Sequence, residues 1–436
     1  MFPADEQPFL AAIAERPAGD APRLVYADYL DETGEPADAA RAELIRVQIA
    51  RQRLARTDPR LATLAEREQE LLDAWRPTWT APLARLGVKF QYRRGLPDAV
   101  VLDAATFLRR GEELFDNTPV RPGRSFVVRV ALEQPTRVLH DLMNCPLLSQ
   151  VEELDLGHGD LGNGGLARLL TSPYLKNLRV LELAGNGLDD SGMLALARAA
   201  TLPKLDTLRL PDNAIGAEGV SALAESPFLA GLVELDLSGN DVPENGVSAL
   251  IRGPATKRLR RLLLADNPLG PAVSDLVNSA LFDRITQTDP DLDWHHCGIP
   301  AGAVAILGGF PVWKRIEHLD LGSNYLSDGG VAGLFAPGQF TELRTLHVEK
   351  NQITDAGATA LLLAHLPKLE HLDLSGNRLT PRAIELLKTA AKERSFTLNA
   401  ANNGTETLTA LPTRTDTDSV AELKRAVSYP ARRSGQ

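Results

Sequence analysis

Cysteine is almost absent from this chain of 436 residues, Cys145 and Cys297 being the only two. A disulfide framework and a zinc site built on CxxC pairs are thereby excluded. Long hydrophobic runs are missing too: the longest apolar stretch, Ala301 to Trp313, falls short of the roughly 20 residues a membrane helix needs. Basic excess is missing, and a net charge of −10 argues against nucleic acid, whose affinity rests on Lys and Arg neutralising phosphates. The N-terminus carries Asp5 and Glu6 and no positive start before an apolar run, so no secretory signal is expected. What is there is ordinary for a globular chain, 44% hydrophobic and 24% charged, which excludes wholesale disorder. The expectation is an acidic cytoplasmic protein, with no membrane and no nucleic acid among its partners.

A repeat dominates the rest. Leu178, Leu181, Leu183, Asn186, Leu188, Gly192 and Leu196 set a template, LxxLxLxxNxLxxxGxxxL. It recurs around Asn213, Asn240, Asn324 and Asn351, and in shorter form around Asn377. Three copies depart from it: Gly159 stands in the first Asn slot, Val273 replaces the helix glycine after Asn267, and Cys297 fills another Asn slot. The slots from 159 to 377 are spaced 27, 27, 27, 27, 30, 27, 27 and 26. The long interval holds an insertion around Phe282 to Pro290. Upstream, Val128, Val130 and Glu133 fit a degenerate copy, and Phe90, Tyr92 and Gly95 an earlier one.

Each copy reads physically. LxL is a short strand with two residues facing inward, and stacked copies make a parallel sheet. Asn at a fixed slot bonds backbone groups of the turn where no ladder is available; Cys stands in as a small buried residue with a weak donor. The GxxxL part has helical period. One copy cannot bury its own apolar face, so the copies must stack as a solenoid. The iterated LxxLxLxxN/CxL resembles the ribonuclease-inhibitor type of leucine-rich repeat over about 151 to 395. The resemblance implies an α/β fold: a curved horseshoe with parallel strands on the concave face and helices on the convex face.

The ends differ. Residues 1–80 carry helical patterns around Phe9 to Ile13, Leu24 to Leu30, Leu44 to Leu54 and Leu61 to Trp75. The run Pro22-Arg23-Leu24-Val25-Tyr26-Ala27-Asp28-Tyr29-Leu30-Asp31-Glu32, with Ala42 to Gln48, resembles the bacterial repeat-companion domain, with Tyr29 where Trp is usual. That resemblance implies an all-helical N-terminal domain capping the first repeat. The division expected is this helical domain, a bridge with degenerate repeats over 81–150, the solenoid over 151–398, and a largely disordered tail over 399–436, with at most a short helix at Val420 to Val427.

Candidate chemistry is sparse. Gly157, Gly159 and Gly162 spell GxGxxG after a strand, with Glu182 20 residues on, yet all three belong to one repeat copy, so no dinucleotide is expected. His295, His296 and Cys297 suggest a metal, but alternation points His295 out and Cys297 in. No G-x-S-x-G occurs, and Ser238 and Ser375 belong to the repeat. No catalytic residue, cofactor or metal is expected. His318, His347 and His371, beside Asp320, Glu349 and Asp373, are expected to project from successive strands within reach of one ligand.

The residue between the two strand leucines points into the groove. From 129 that column reads Arg129, Asp155, Glu182, Arg209, Asp236, Leu263, Asp293, Asp320, His347 and Asp373. It is mostly acidic, which favours a basic partner, although Asp is also common at this point of such repeats. The partner-binding residues expected are Asp155, Glu182, Arg209, Asp236, Asp293, Asp320, His347 and Asp373, with His318, Glu349 and His371. The function expected is a non-catalytic protein-interaction scaffold. The alternative implied by the repeat subtype is a GTPase activator of the Ran GTPase-activating type, although the acidic tail of many such proteins is replaced here by one that ends in Arg432 and Arg433.

Overall fold

The computed structural model describes residues 4–16, 19–54, 60–81, 87–116, 119–121, 124–125, 129–335 and 339–404. Val128, the Val420 to Val427 segment and the arginines at 432 and 433 lie outside them.

Four helices open the chain: α1 (Gln7–Glu15), α2 (Ala21–Glu32), α3 (Pro36–Arg53) and α4 (Arg60–Thr80). Proline stands in the first turn of the first three, where its missing N–H has no helical partner to lose. Leu10, Ile13, Tyr26, Leu30 and Ile45 close one buried cluster with Leu96. Leu44, Val47, Leu71 and Trp79 close a second, with Tyr92 against it. Leu96 and Tyr92 belong to the hairpin that starts the sheet, so the helices are docked to the repeats through it. Gln48 of α3, buried, fixes the joint: its Nε2 donates to the Tyr92 carbonyl at 3.1 Å and its Oε1 accepts the Gly95 N–H at 2.6 Å. Gly95 is required there, because its φ is +77° and a Cβ would stand 2.0 Å from Ile45 Cγ1.

Strand Lys89–Arg93 pairs antiparallel with Leu96–Asp103, and from there every repeat strand runs parallel. Arg129–Glu133, Glu153–Asp155, Val180–Glu182, Thr207–Arg209, Glu234–Asp236 and Arg261–Leu263 complete an eight-stranded sheet. A second, five-stranded sheet holds Asp291–Asp293, His318–Asp320, Thr345–His347, His371–Asp373 and Thr397–Asn399. Helices such as Asp190–Ala197, Ala217–Glu225 and Glu244–Arg252 follow the strands and pack on one another. Strands stack about 4.8 Å apart while helices need about 10 Å, so the stack must curve with the strands inside. This is the expected α/β leucine-rich-repeat solenoid with an N-terminal helical region.

The Asn slots form a continuous ladder. Asn240, buried, accepts the Ile215 N–H at 3.1 Å and donates to the Leu210 and Leu237 carbonyls at 2.9 Å each. Asn186, Asn213, Asn267, Asn324, Asn351 and Asn377 reach back one repeat in the same way. Cys297 keeps the donor half of the job, its Sγ lying 3.4 Å from the Leu264 carbonyl. Gly159 fits its slot because Pro135 already fills the space, 2.7 Å from where a Cβ would be. The ladder also runs past the expected end at Leu398: Asn403 donates to Leu374 O at 2.9 Å and accepts the Leu379 N–H at 3.1 Å.

The long interval is where the two sheets part, strands Arg261–Leu263 and Asp291–Asp293 sharing no ladder. The repeat's own helix is the short Val273–Val277, and the insertion begins in a second short helix, Ala280–Thr286. Side chains replace the missing backbone bonds: Arg284 donates to the Leu259 carbonyl at 3.0 Å and the Thr256 carbonyl at 2.8 Å, and Thr288 Oγ1 to the Arg260 carbonyl at 2.7 Å. Behind the gap Phe282, Trp294 and Trp313 are buried in mutual contact, with centroids 5.5 to 6.3 Å apart. Below it the turns stay joined, Asp266 N–H donating to the His295 carbonyl at 2.8 Å. The irregularity is thus a packed seam rather than a free loop. No helix among the described residues is long and apolar enough to cross a membrane.

Candidate functional site

The three-residue repeat strands from Glu153–Asp155 to His371–Asp373 bury their middle residue and turn their flanks outward. The concave face therefore carries three rows. In the second sheet the register lines up Asp291, His318, Thr345, His371 and Thr397 in the first row, and Asp293, Asp320, His347, Asp373 and Asn399 in the second. The third row, two residues further on, holds His295, Gly322, Glu349, Ser375 and Ala401.

The acidic second row has a structural task that its residue type alone does not reveal. Asp155, Asp236, Asp293, Asp320 and Asp373 each accept the backbone N–H two residues on, at 2.8 to 3.0 Å, and Glu182 does so at 3.2 Å. The carboxylate thereby satisfies a donor that the ending strand leaves open. At Asp373 the second oxygen accepts a hydrogen bond from Asn399 Nδ2 at 2.7 Å. Burial, reinforced by Asp155, pushes the Glu182 carboxyl up to about 7. Burial also raises Asp236 and Asp293. Arg209 does not stand free among them, since its Nε donates to Glu234 at 2.8 Å.

The three histidines do not converge. His318 and His371 occupy the first row on either side of Thr345, whereas His347 lies in the second. His318 stands 3.9 Å from Asp291, and His371 Nδ1 meets Thr397 Oγ1. First and second rows share the concave face but stand two residues, about 6.6 Å, apart along each strand. Among the described residues, neither His318 nor His371 belongs to a group whose donor atoms lie within 4.8 Å of one another.

A different set does converge. His295 Nδ1 lies 3.7 Å from Asp320 Oδ1 and 3.5 Å from Glu349 Oε1. On the other oxygen of Glu349, His347 Nδ1 lies 3.9 Å away, with Asp373 completing that group. The two carboxylates hold the His295 imidazole up at about 10. Asp320, which burial would raise, is held below its usual range by His295 and the Gly322 N–H. Cys297, as expected, is buried in the ladder and its thiol is pushed up by burial. His295 was absent from the expected site residues. Its signal was available: the third row is small or neutral from Gly157 through Ala184, Pro211, Ser238 and Ala265, and departs from that only at His295 and Glu349.

Comparison with known proteins agrees with the repeats. Residues 174–197 and 201–224 match the family description "Leucine Rich repeat", and residues 341–386 match "Leucine Rich repeats (2 copies)". Ribonuclease inhibitor of Sus scrofa is 32% identical over 140 residues, 30% of this chain and 30% of that protein. The chain thus matches under a third of that relative's length. Among solved structures, an internalin of Listeria monocytogenes is 18% identical, with a TM-score of 0.37, over 64% of this chain and 73% of that one. Rad7 in its complex with Elc1 in yeast gives 15% and 0.38, over 80% and 94%. The chain carries leucine-rich repeats and is similar to ribonuclease inhibitor in part of its length.

Proposed function

We propose that this chain is a non-catalytic protein-interaction scaffold whose partner lies on the concave face and presents a basic surface. Leucine-rich-repeat proteins generally act as protein-interaction scaffolds, and stacked repeats offer an extended concave surface for the purpose. One observation carries the choice of face. The second row carries carboxylates on the concave face at Asp155, Asp236, Asp293, Asp320 and Asp373, and the backbone N–H two residues on occupies one oxygen of each, Asn399 taking the other oxygen of Asp373. Such a field favours a basic partner chiefly through association rate and selectivity. Between Glu182 and Asp236 in the row, Arg209 is paired with Glu234, so it does not cancel the field. The N-terminal helices serve as the cap of the first repeat, since Leu96 and Tyr92 of the opening hairpin are covered by them. Localisation in the cytoplasm belongs to the same proposal.

The test is capture of partners by the wild type and by the triple variant Asp155→Asn/Asp236→Asn/Asp293→Asn, which keeps an oxygen at each turn and removes three charges. The exposed helix residues Glu218 and Glu225, changed to Gln, form the control. A partner retained by the control and lost from the triple variant supports the reading. A partner held equally by all three places binding elsewhere.

A further inference from the structure

We propose that His295, Asp320 and Glu349 form a binding site for a divalent transition-metal ion of the zinc class. His347 and Asp373 make the matching set on the second oxygen of Glu349. The proposal stands independently of the partner reading.

The donor set is one imidazole nitrogen and two carboxylate oxygens in each half, a mixture that suits zinc and its neighbours. Calcium would ask for six to eight oxygens. The spacing is right for one ion. Bonds of about 2.0–2.2 Å in a tetrahedron hold donors roughly 3.3–3.6 Å apart; here His295 Nδ1 lies 3.5 Å from Glu349 Oε1 and 3.7 Å from Asp320 Oδ1. All donor atoms of each half lie within 4.8 Å of one another. In the second half Glu349 Oε2, 3.9 Å from His347 Nδ1, is buried and accepts no hydrogen bond, an acceptor that an ion held by His347 and Asp373 would satisfy.

Gly322 makes the encounter possible. His295 and Glu349 sit two repeats apart, about 10 Å along the stack, and the residue between them in the third row is Gly322. A Cβ there would lie 2.0 Å from Glu349 Oε1 and 2.8 Å from His295 Nδ1. The two departures from an otherwise small and neutral row thus flank the one position that must be empty for them to meet. The His295 and Asp320 side chains remain about a third exposed, which leaves the site open to the groove and a fourth coordination position free for a ligand of the ion.

The experiment uses the full chain stripped with a chelator, then titrated with zinc alone by calorimetry and with cobalt(II) by its visible absorption. The wild type should bind, and cobalt should develop the bands of a tetrahedral site. His295→Ala should weaken zinc by about tenfold or more. Gly322→Ala should do the same with every ligand still in place, and its backbone tolerates alanine because its φ is not positive. Glu349→Gln is the second variant should circular dichroism show that Gly322→Ala has not folded. His365→Ala, on a histidine outside the cluster, should bind as the wild type does. Absence of zinc binding up to about 100 µM, or binding unchanged in His295→Ala and Gly322→Ala, overturns the proposal. The cluster would then be an ion pair only, with a proton on His295 bridging the two carboxylates.

Discussion

Replacing the groove carboxylates by Asn and by Ala separates their two tasks. In Asp155, Asp236 and Asp293 one oxygen accepts the N–H of Gly157, Ser238 and His295 at 2.8, 2.9 and 3.0 Å. Asparagine keeps an acceptor oxygen at the same reach; alanine leaves the N–H to water or to nothing. These hydrogen bonds, exposed at Asp155 and Asp293 and half-buried at Asp236, are worth about 1 kcal/mol each. The three sites are at least two strands apart, so their losses should add, and the triple Ala variant should lose about 3 kcal/mol. The triple Asn variant should lose nothing at pH 7. Burial raises the Asp236 and Asp293 carboxyls above their unfolded values, so the stability linked to them is full below the unfolded pKa and falls as pH rises through the folded one. At neutral pH their charges oppose folding, and removing them relieves that cost. Urea unfolding followed by circular dichroism gives both numbers. Equal losses in the Asn and Ala variants would refute the reasoning, because the charge and not the turn oxygen would then be what the fold needs.

Glu182 gives the clearest pH effect. Its carboxyl sits at about 7 in the fold, so stability should fall between pH 5 and 8 by on the order of 2 kcal/mol after allowance for partial exposure, and Glu182→Gln should flatten that fall in urea midpoints. Asn240→Ala should cost about 3 kcal/mol, since it strands the Ile215 N–H and the Leu210 carbonyl in the interior; thermal melts check it, and a loss below half that value would mean the ladder is not what ties the turns. Gln48→Ala should cost about 2 kcal/mol by releasing the Tyr92 carbonyl and Gly95 N–H, with faster hydrogen exchange confined to the hairpin over Lys89–Asp103 and the helices against it.

The repeats were legible because each slot accepts few side-chain chemistries. An Asn such as Asn213, with a carbonyl oxygen and an amide nitrogen, joins two turns at once, and the 27-residue interval keeps it in register. Asn403 escaped because the apolar residue that normally follows the slot is absent: Asn403 is followed by Gly404 and Thr405, while the contact that defines it lies back at Leu374 and Leu379. The seam after Leu263 announced itself only as an interval of 30. That Arg284 and Thr288 would supply the missing bonds depends on how the extra residues coil. The acidic row was legible as a row, but its capping role needs the turn geometry. The His295–Glu349 encounter was hidden for another reason: it joins residues 54 apart in sequence through a glycine that neither of them contacts in the chain. Alternation turns His318 and His347 to the same face, on neighbouring strands and in different rows, and nothing in alternation brings His295 to Glu349.

The central claim is that a partner occupies the concave face. Hydroxyl-radical footprinting of the chain with and without its captured partner tests it most directly, because both faces carry accessible reporters. His347 and His371 stand in the groove, half-buried and exposed, while Leu363 and Leu386, on the helices Asp355–Leu363 and Pro381–Arg394, are 78% and 57% exposed. The account expects protection at the two histidines and unchanged labelling at the two leucines. Protection at the leucines with the histidines still labelled would contradict it.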